Sequence, residues 1–154
     1  MSALEIRRAR RDDLAGIAAL RNHCWPAAPA WEARDILLSF MDDGYLVAAS
    51  EGRLCGAVRW HVENLVASVR EIYLAAPAEA ARALLAEIEA EARALQCEVI
   101  LLMNPAEGPA GVDSAAKELG YLPAGDERLP AAWAEAVAES EKGGGSLWVK
   151  RLAS

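Results

Sequence analysis

The chain is short of the features that mark several large classes of protein. It has no glycine between Gly56 and Gly108. Any loop in that span must turn without the residue that most easily lets a backbone curl around an anion. Its three cysteines, Cys24, Cys55 and Cys97, are odd in number and far apart, so they make no disulfide framework. Cys55 and Cys97 lie in apolar runs, where a free thiol serves as a small core residue. A reducing cytoplasm suits that usage. No apolar run approaches the roughly 20 residues that a membrane helix needs. No apolar stretch follows the basic residues of MSALEIRRARRDD, and no secretory signal is expected. Basic charge is also scarce. A net charge of −7 and a pI near 4.9 argue against general nucleic-acid binding, which needs cations to displace counterions. There is no Cys-x-x-Cys, no His-x-x-x-His, no P-loop and no Gly-x-Ser-x-Gly elbow. No metal is expected, and several common enzyme classes lose their usual signature.

What is present favours one domain, 154 residues long. Hydrophobic residues make up 54% of the chain, many of them alanine, and alanine is the best helix former. Alternation of Leu4 and Ile6 with charged residues predicts a first strand over 4–8. Asp12 or Asp13 starts a helix whose stripe is Leu14, Ile17, Ala18 and Leu20/Arg21, ending near Asn22 before Trp25-Pro26. A second helix is expected over 31–41, with Ile36, Leu37 and Phe40 inward. Asp42-Asp43-Gly44 is a turn signal. Strands over 45–50, 54–62 and 65–74 form an antiparallel meander, with turns at 51–53 and 63–64. Pro77 suits the first position of a helix running to Gln96. Ala81, Leu84, Leu85, Ile88, Ala92 and Leu95 share one face of it. The continuous apolar run over 97–103 marks a strand buried on both faces. A short helix over 112–119 ends at Gly120, and Tyr121-Leu122 begins a further strand. Residues 130–140 read as an extra helix, the glycines at 143–145 as a turn, and 146–152 as a last strand.

The stretch VREIYLAAP from Val69 runs straight into the helix AEAARALLAEIEAEARALQ. This junction, late in a β-rich first half, resembles the core of the GNAT family of acyl-CoA-dependent N-acetyltransferases. The order β-α-α-β-β-β-α-β-α-β-β extends the resemblance over essentially the whole chain. It implies an α/β (α+β) fold in a single domain over 1–154. The sheet would be mixed but mostly antiparallel, with helices on both faces and the fourth and fifth strands splayed apart. It also implies acetyl-CoA or another acyl-CoA as cofactor and a small amine-bearing substrate. Nucleic acid and membrane are not expected partners, and a homodimer is left open.

The family's pyrophosphate loop, Arg/Gln-x-x-Gly-x-Gly/Ala, is absent here. Pro77 removes one helix N–H, Glu79 would repel a phosphate, and Arg82 is the nearby cation. The helix is either purely structural or part of a degenerate coenzyme A site. The contacts the resemblance then implies are Tyr73, Ala75 and Arg82. The segment AAKELGY from Ala115 matches a family segment like FYEKLGF. Ala116 stands where the family often has an acidic tyrosine, and Tyr121 takes a packing slot.

Glu71 matches the glutamate that many family members use as a base. A partly buried carboxylate could serve that role. Equally, it could pair with Arg59 or Arg70, or face water. The loop over 23–31 borders the acceptor side in the resembled fold. His23, Trp25 and Trp31, with Arg59, are the implied substrate contacts. The tryptophans would supply apolar walls and cation–π faces for an amine held by Glu71. The alternative is a proline-stiffened connection packed on the sheet edge. A reaction other than acyl transfer, or a binding role in the same cleft, stands as the second reading.

Overall fold

A computed structural model describes residues 4–75, 78–105, 108–124 and 145–152, together with 130, 131, 133, 134 and 137. The strands are β1 (Glu5–Arg8), β2 (Gly44–Ser50), β3 (Arg53–Glu63), β4 (Val66–Leu74), β5 (Val99–Pro105), β6 (Leu122–Pro123) and β7 (Gly145–Arg151). They form one sheet in the order β1-β2-β3-β4-β5-β7-β6. Only β4 and β5 run parallel; the other neighbours are antiparallel. The meander turns are tight. Glu51 and Gly52 both have positive φ, as do Asn64 and Leu65, which is the backbone twist that matches a right-handed hairpin. The second turn therefore sits at 64–65, one residue later than the polar pair Glu63-Asn64 suggests.

A 3-10 turn (Arg11–Asp13) leads into α1 (Leu14–Cys24). Asp13 anchors this entry. Arg7 donates two bonds to its carboxylate (2.6 and 3.1 Å), and the Arg10 N–H donates a third (2.7 Å). The Arg7 bond, then the Arg10 bond, hold the Asp13 carboxyl below the usual carboxylate range against the effect of burial. α1 runs past Asn22 to Cys24 and stops where Trp25, ahead of Pro26, leaves the helical region (φ −128°, ψ 70°). α2 (Ala33–Ser39) is shorter than the expected 31–41. It buries Ile36, whereas Leu37 is 47% exposed, contrary to the expected stripe. Seven residues give only two turns, so one side chain carries the contact.

α3 (Ala78–Ala94) buries Ala81, Leu84, Leu85, Ile88 and Ala92. It packs on the sheet face that carries Leu46, Ala48, Val58, Trp60, Val69 and Ile72. Leu95 lies beyond its last turn and is 54% exposed, so it is no core residue. Pro77 lies outside the described residues. α4 (Val112–Glu118) adds Val112, Ala115 and Ala116 to the same core and ends at Gly120, whose φ is +88°. α1 and α2 cover the opposite face, over Tyr45, Val47, Ala57 and Tyr73.

The apolar run resolves as expected. Ile100 and Leu102 face α3, while Val99 and Leu101 pack with Trp133 on the other side. Cys97 is buried but precedes the strand. Within 130–140, Ala131, Trp133, Ala134 and Val137 are helical, and the remaining positions except Pro130 lie outside the described residues, as do Gly143 and Gly144. No helix among the described residues is long and apolar enough to cross a membrane.

Candidate functional site

The sheet opens at one place. β4 and β5 pair from Val66↔Val99 to Val69↔Leu102 and no further. Both strands continue beyond that point, to Leu74 and Pro105. The cause lies on the other side of β4. Arg59 stands opposite Glu71 and Trp60 opposite Val69, so Arg70 is the extra residue that bulges β4. Such a bulge bends its strand and sharpens the twist. It comes at the residue where the parallel ladder stops. The result is a gap in the sheet along the end of β4, with α1 and α2 over one face.

Six side chains close a circuit there. The Arg21 guanidinium lies 4.0 Å from the Trp31 ring centroid and 5.9 Å from that of Trp25. Trp25 meets Tyr73 edge-on at 5.0 Å. The Tyr73 hydroxyl donates to Glu71 Oε1 (2.7 Å), and Arg59 donates to the same oxygen (3.0 Å). Arg59 lies 5.6 Å from the Trp31 ring, which completes the loop. Asn22 pins the connection over 25–31 through two bonds to the Trp31 backbone (2.8 and 2.9 Å). Among the described residues, both bonds to Glu71 fall on Oε1, and Oε2 takes none.

Behind the circuit sits Asp43, its side chain fully buried. Arg59 Nε donates to Oδ2 at 2.5 Å, while Arg70 Nε lies 3.3 Å and His61 Nδ1 3.6 Å from Oδ1. Burial alone would weaken the Arg59 charge, but Tyr45, Asp43 and Glu71 outweigh it and raise its pKa above the ordinary arginine value. Burial, then the Glu71 charge, pushes the Tyr73 hydroxyl well above the usual tyrosine range. Tyr73 therefore stays protonated and acts as a donor to Glu71.

Five expected site residues thus come together: Trp25, Trp31, Arg59, Glu71 and Tyr73. Glu71 is paired with Arg59, across the strands. Trp31 is corrected in one respect. Its ring is approached by the protein's own guanidiniums, so it is not the open cation–π wall for an amine that the loop suggested. Tyr73 turns its side chain into the α1 core. His23 does not join the circuit. It is exposed and lines a separate cleft with Gly16, Leu20, Arg53, Leu54 and Ala75.

The residues expected to contact a cofactor are more sparsely connected. The Ala75 N–H donates to the Cys55 carbonyl (2.9 Å). The Leu74 N–H donates to Cys24 Sγ (3.4 Å), and the thiol lies 3.5 Å from the Leu74 carbonyl as donor. Burial raises the Cys24 pKa, opposed by the Leu74 backbone bond, and keeps the thiol protonated. Arg82 forms an ion pair with Glu118 of α4, and both are more than half exposed. Glu79 occupies the first turn of α3. Ala116 and Tyr121 are core residues; burial raises the Tyr121 pKa.

Arg21, Asp43 and Cys24 escaped the sequence reading. Arg21 lies four residues before Trp25, which caps α1 and whose N–H still bonds the Arg21 carbonyl, a spacing that makes neighbours. That was the available signal. Asp43 was hidden in a turn motif, and nothing local marks Cys24.

No protein-family model matches the sequence, and no curated protein matches it. Solved structures do match in shape. A ribosomal-protein-alanine N-acetyltransferase from Brucella melitensis is 20% identical with a TM-score of 0.71, covering 96% of this chain and 99% of its own. An N-acetyltransferase from Staphylococcus aureus Mu50 is 15% identical with a TM-score of 0.74, covering 99% of this chain and 100% of its own. A GNAT superfamily phosphinothricin acetyltransferase from Sinorhizobium meliloti, in complex with AcCoA, is 16% identical with a TM-score of 0.74, covering 97% of this chain and 89% of its own. At these identities the likeness is one of fold: the chain is folded as the GNAT acetyltransferases are.

Proposed function

We propose that the protein is an acyl-CoA-dependent N-acetyltransferase acting on a small amine-bearing substrate. One observation carries this reading: in a GNAT fold, the Glu71 carboxylate sits at the bulge where β4 and β5 part. Acetyl-CoA, when bound, supplies a thioester that an amine attacks, forming a C–N bond as the C–S bond breaks. The chain's own part is to hold the amine and take its proton. Oε2 of Glu71 receives that proton while Arg59 and Tyr73 fix Oε1. A backbone N–H of β4 beyond its ladder with β5 would polarise an acyl oxygen. Trp25 and Trp31 keep water from the opposite side. With Ala116 at the position that would hold an acidic tyrosine, the leaving thiolate takes its proton from solvent.

The cofactor's two ends fit unequally. The unpaired end of β4 suits an extended amide-bearing arm. The junction offers the phosphates an α3 terminus with Glu79 in its first turn and Arg82 already paired with Glu118. Binding is therefore expected to be weak. This sparse junction, with Cys24 already bonded to Leu74, also favours a second reading, a GNAT-fold protein using the cleft for binding or another reaction. Calorimetric titration with acetyl-CoA separates the two. Heat at micromolar to low millimolar ligand, with thiol release on adding amines, supports acetyl transfer. No heat at millimolar acetyl-CoA overturns it.

A further inference from the structure

The charges of the circuit do not cancel. Arg59 contacts both carboxylates, Asp43 and Glu71, and Arg70 lies against Asp43. Among the described residues Arg21 pairs with no carboxylate, in a chain of net charge −7. Its Nε is buried without a hydrogen-bond partner among those residues, and its one bond is a long one, to the Pro29 carbonyl (3.4 Å). The guanidinium carbon lies 4.0 Å from the Trp31 ring centroid and 5.9 Å from that of Trp25. A guanidinium held against a ring face can still bind a planar anion through its N–H edges in bidentate fashion. Pinning the loop over 25–31 does not need Arg21, since Asn22 already does it with two shorter bonds.

Arg21 and Glu71 occupy opposite corners of the circuit. One path between them runs through Trp25 and Tyr73, the other through Trp31 and Arg59. One connected set of side chains thus carries a spare cation, Arg21, and a carboxylate oxygen that accepts no bond from the described residues, Glu71 Oε2. We propose that the acceptor is an amino carboxylate: Arg21 receives its carboxylate and Glu71 its amine. This deepens the acetyltransferase reading by naming the substrate class, and it rests on that reading of the cleft.

The test uses L-amino acids paired with their own α-amides, which share amine and side chain and differ only in the anion. Quenching of intrinsic tryptophan fluorescence, without acyl-CoA, reports binding beside Trp25 and Trp31. Thiol release with acetyl-CoA reports turnover. The wild type should bind its best acids about tenfold or more tighter than the matching amides. Arg21→Met should erase that preference by weakening the acids alone, and Arg21→Lys should restore part of it. Equal or tighter binding of the amides overturns the proposal. So does an equal loss for acids and amides in Arg21→Met, which marks a packing role, or no quench by any acid at millimolar concentration. If Arg21→Met fails to fold, the wild-type comparison of acids with amides decides alone. Acetylation of amides but not acids sinks this inference and spares the acetyltransferase reading. Acid binding with no acetyl transfer does the reverse.

Discussion

The two walls of the cleft are built by opposite means. On the α1–α2 side, Arg21, Trp25, Trp31, Arg59, Glu71 and Tyr73 are joined by contacts in a ring, with a buried Asp43 behind them. On the α3 side the described residues offer backbone, Glu79 in the first turn of α3 and a surface ion pair. The first wall is pre-organised: each polar group is aimed by a neighbour, and little entropy remains to be lost when a ligand arrives. The second wall contributes shape. Discrimination should therefore lie in the acceptor, and affinity for the cofactor should be modest.

This contrast can be broken from either side. The largest effect is expected at Asp43. Replacing it with Asn removes the buried carboxylate that Arg59 and Arg70 share, leaving Glu71 as the carboxylate still paired with Arg59, and should cost about 3–5 kcal/mol in urea unfolding. Glu71→Gln keeps shape and removes the proposed base. Turnover should fall about 10²–10⁴-fold with the melting temperature little changed. Unfolding with ligand affinity intact would instead make Glu71 a structural ion-pair member. On the poorer wall, a glycine-rich segment inserted after Ala76 should raise acetyl-CoA affinity about tenfold by calorimetry. Tight binding by the unmodified chain would show that the junction needs no such loop.

Acid titration offers a smaller, independent check on the α1 wall. Asp13 has a folded pKa held down by Arg7. Its contribution is thus fully present above the unfolded carboxylate value of about 3.9 and is lost as pH falls through the lower folded value. Arg7→Met should flatten that part of the stability profile. The least effect belongs to Glu118→Gln, which breaks the exposed pair with Arg82 and should change stability by about 0–1 kcal/mol. A loss comparable to that at Asp43 would erase the difference between the walls.

Much of the frame is legible along the chain, because hairpins and amphipathic helices are local. The meander, the doubly buried strand before Met103 and the stripe of α3 follow from periodicity. Periodicity fails where an element is short or has ended, as at Leu37 and Leu95. The site is less legible. Glu71, Arg59 and the two tryptophans can be picked out by residue type and resemblance. The bulge at Arg70 cannot, since it depends on register with β3. Nor can the bond between Cys24 and Leu74, which joins positions 50 residues apart. Asp43 reads as part of a polar turn and becomes buried only when Arg59, His61 and Arg70 close over it.

The strand order also governs how copies of the chain treat one another. A sheet can recruit another sheet only at its outer edges. Here those edges are β1, four residues long with Glu5, Arg7 and Arg8, and β6, two residues long and ending in Pro123. Charge on one and a missing N–H on the other oppose continuation of the ladder. The most apolar strand, β5, lies inside between β4 and β7. Growth of the sheet from copy to copy is thus blunted at both ends, and the segment best suited to fibre formation is exposed only if β7 comes away.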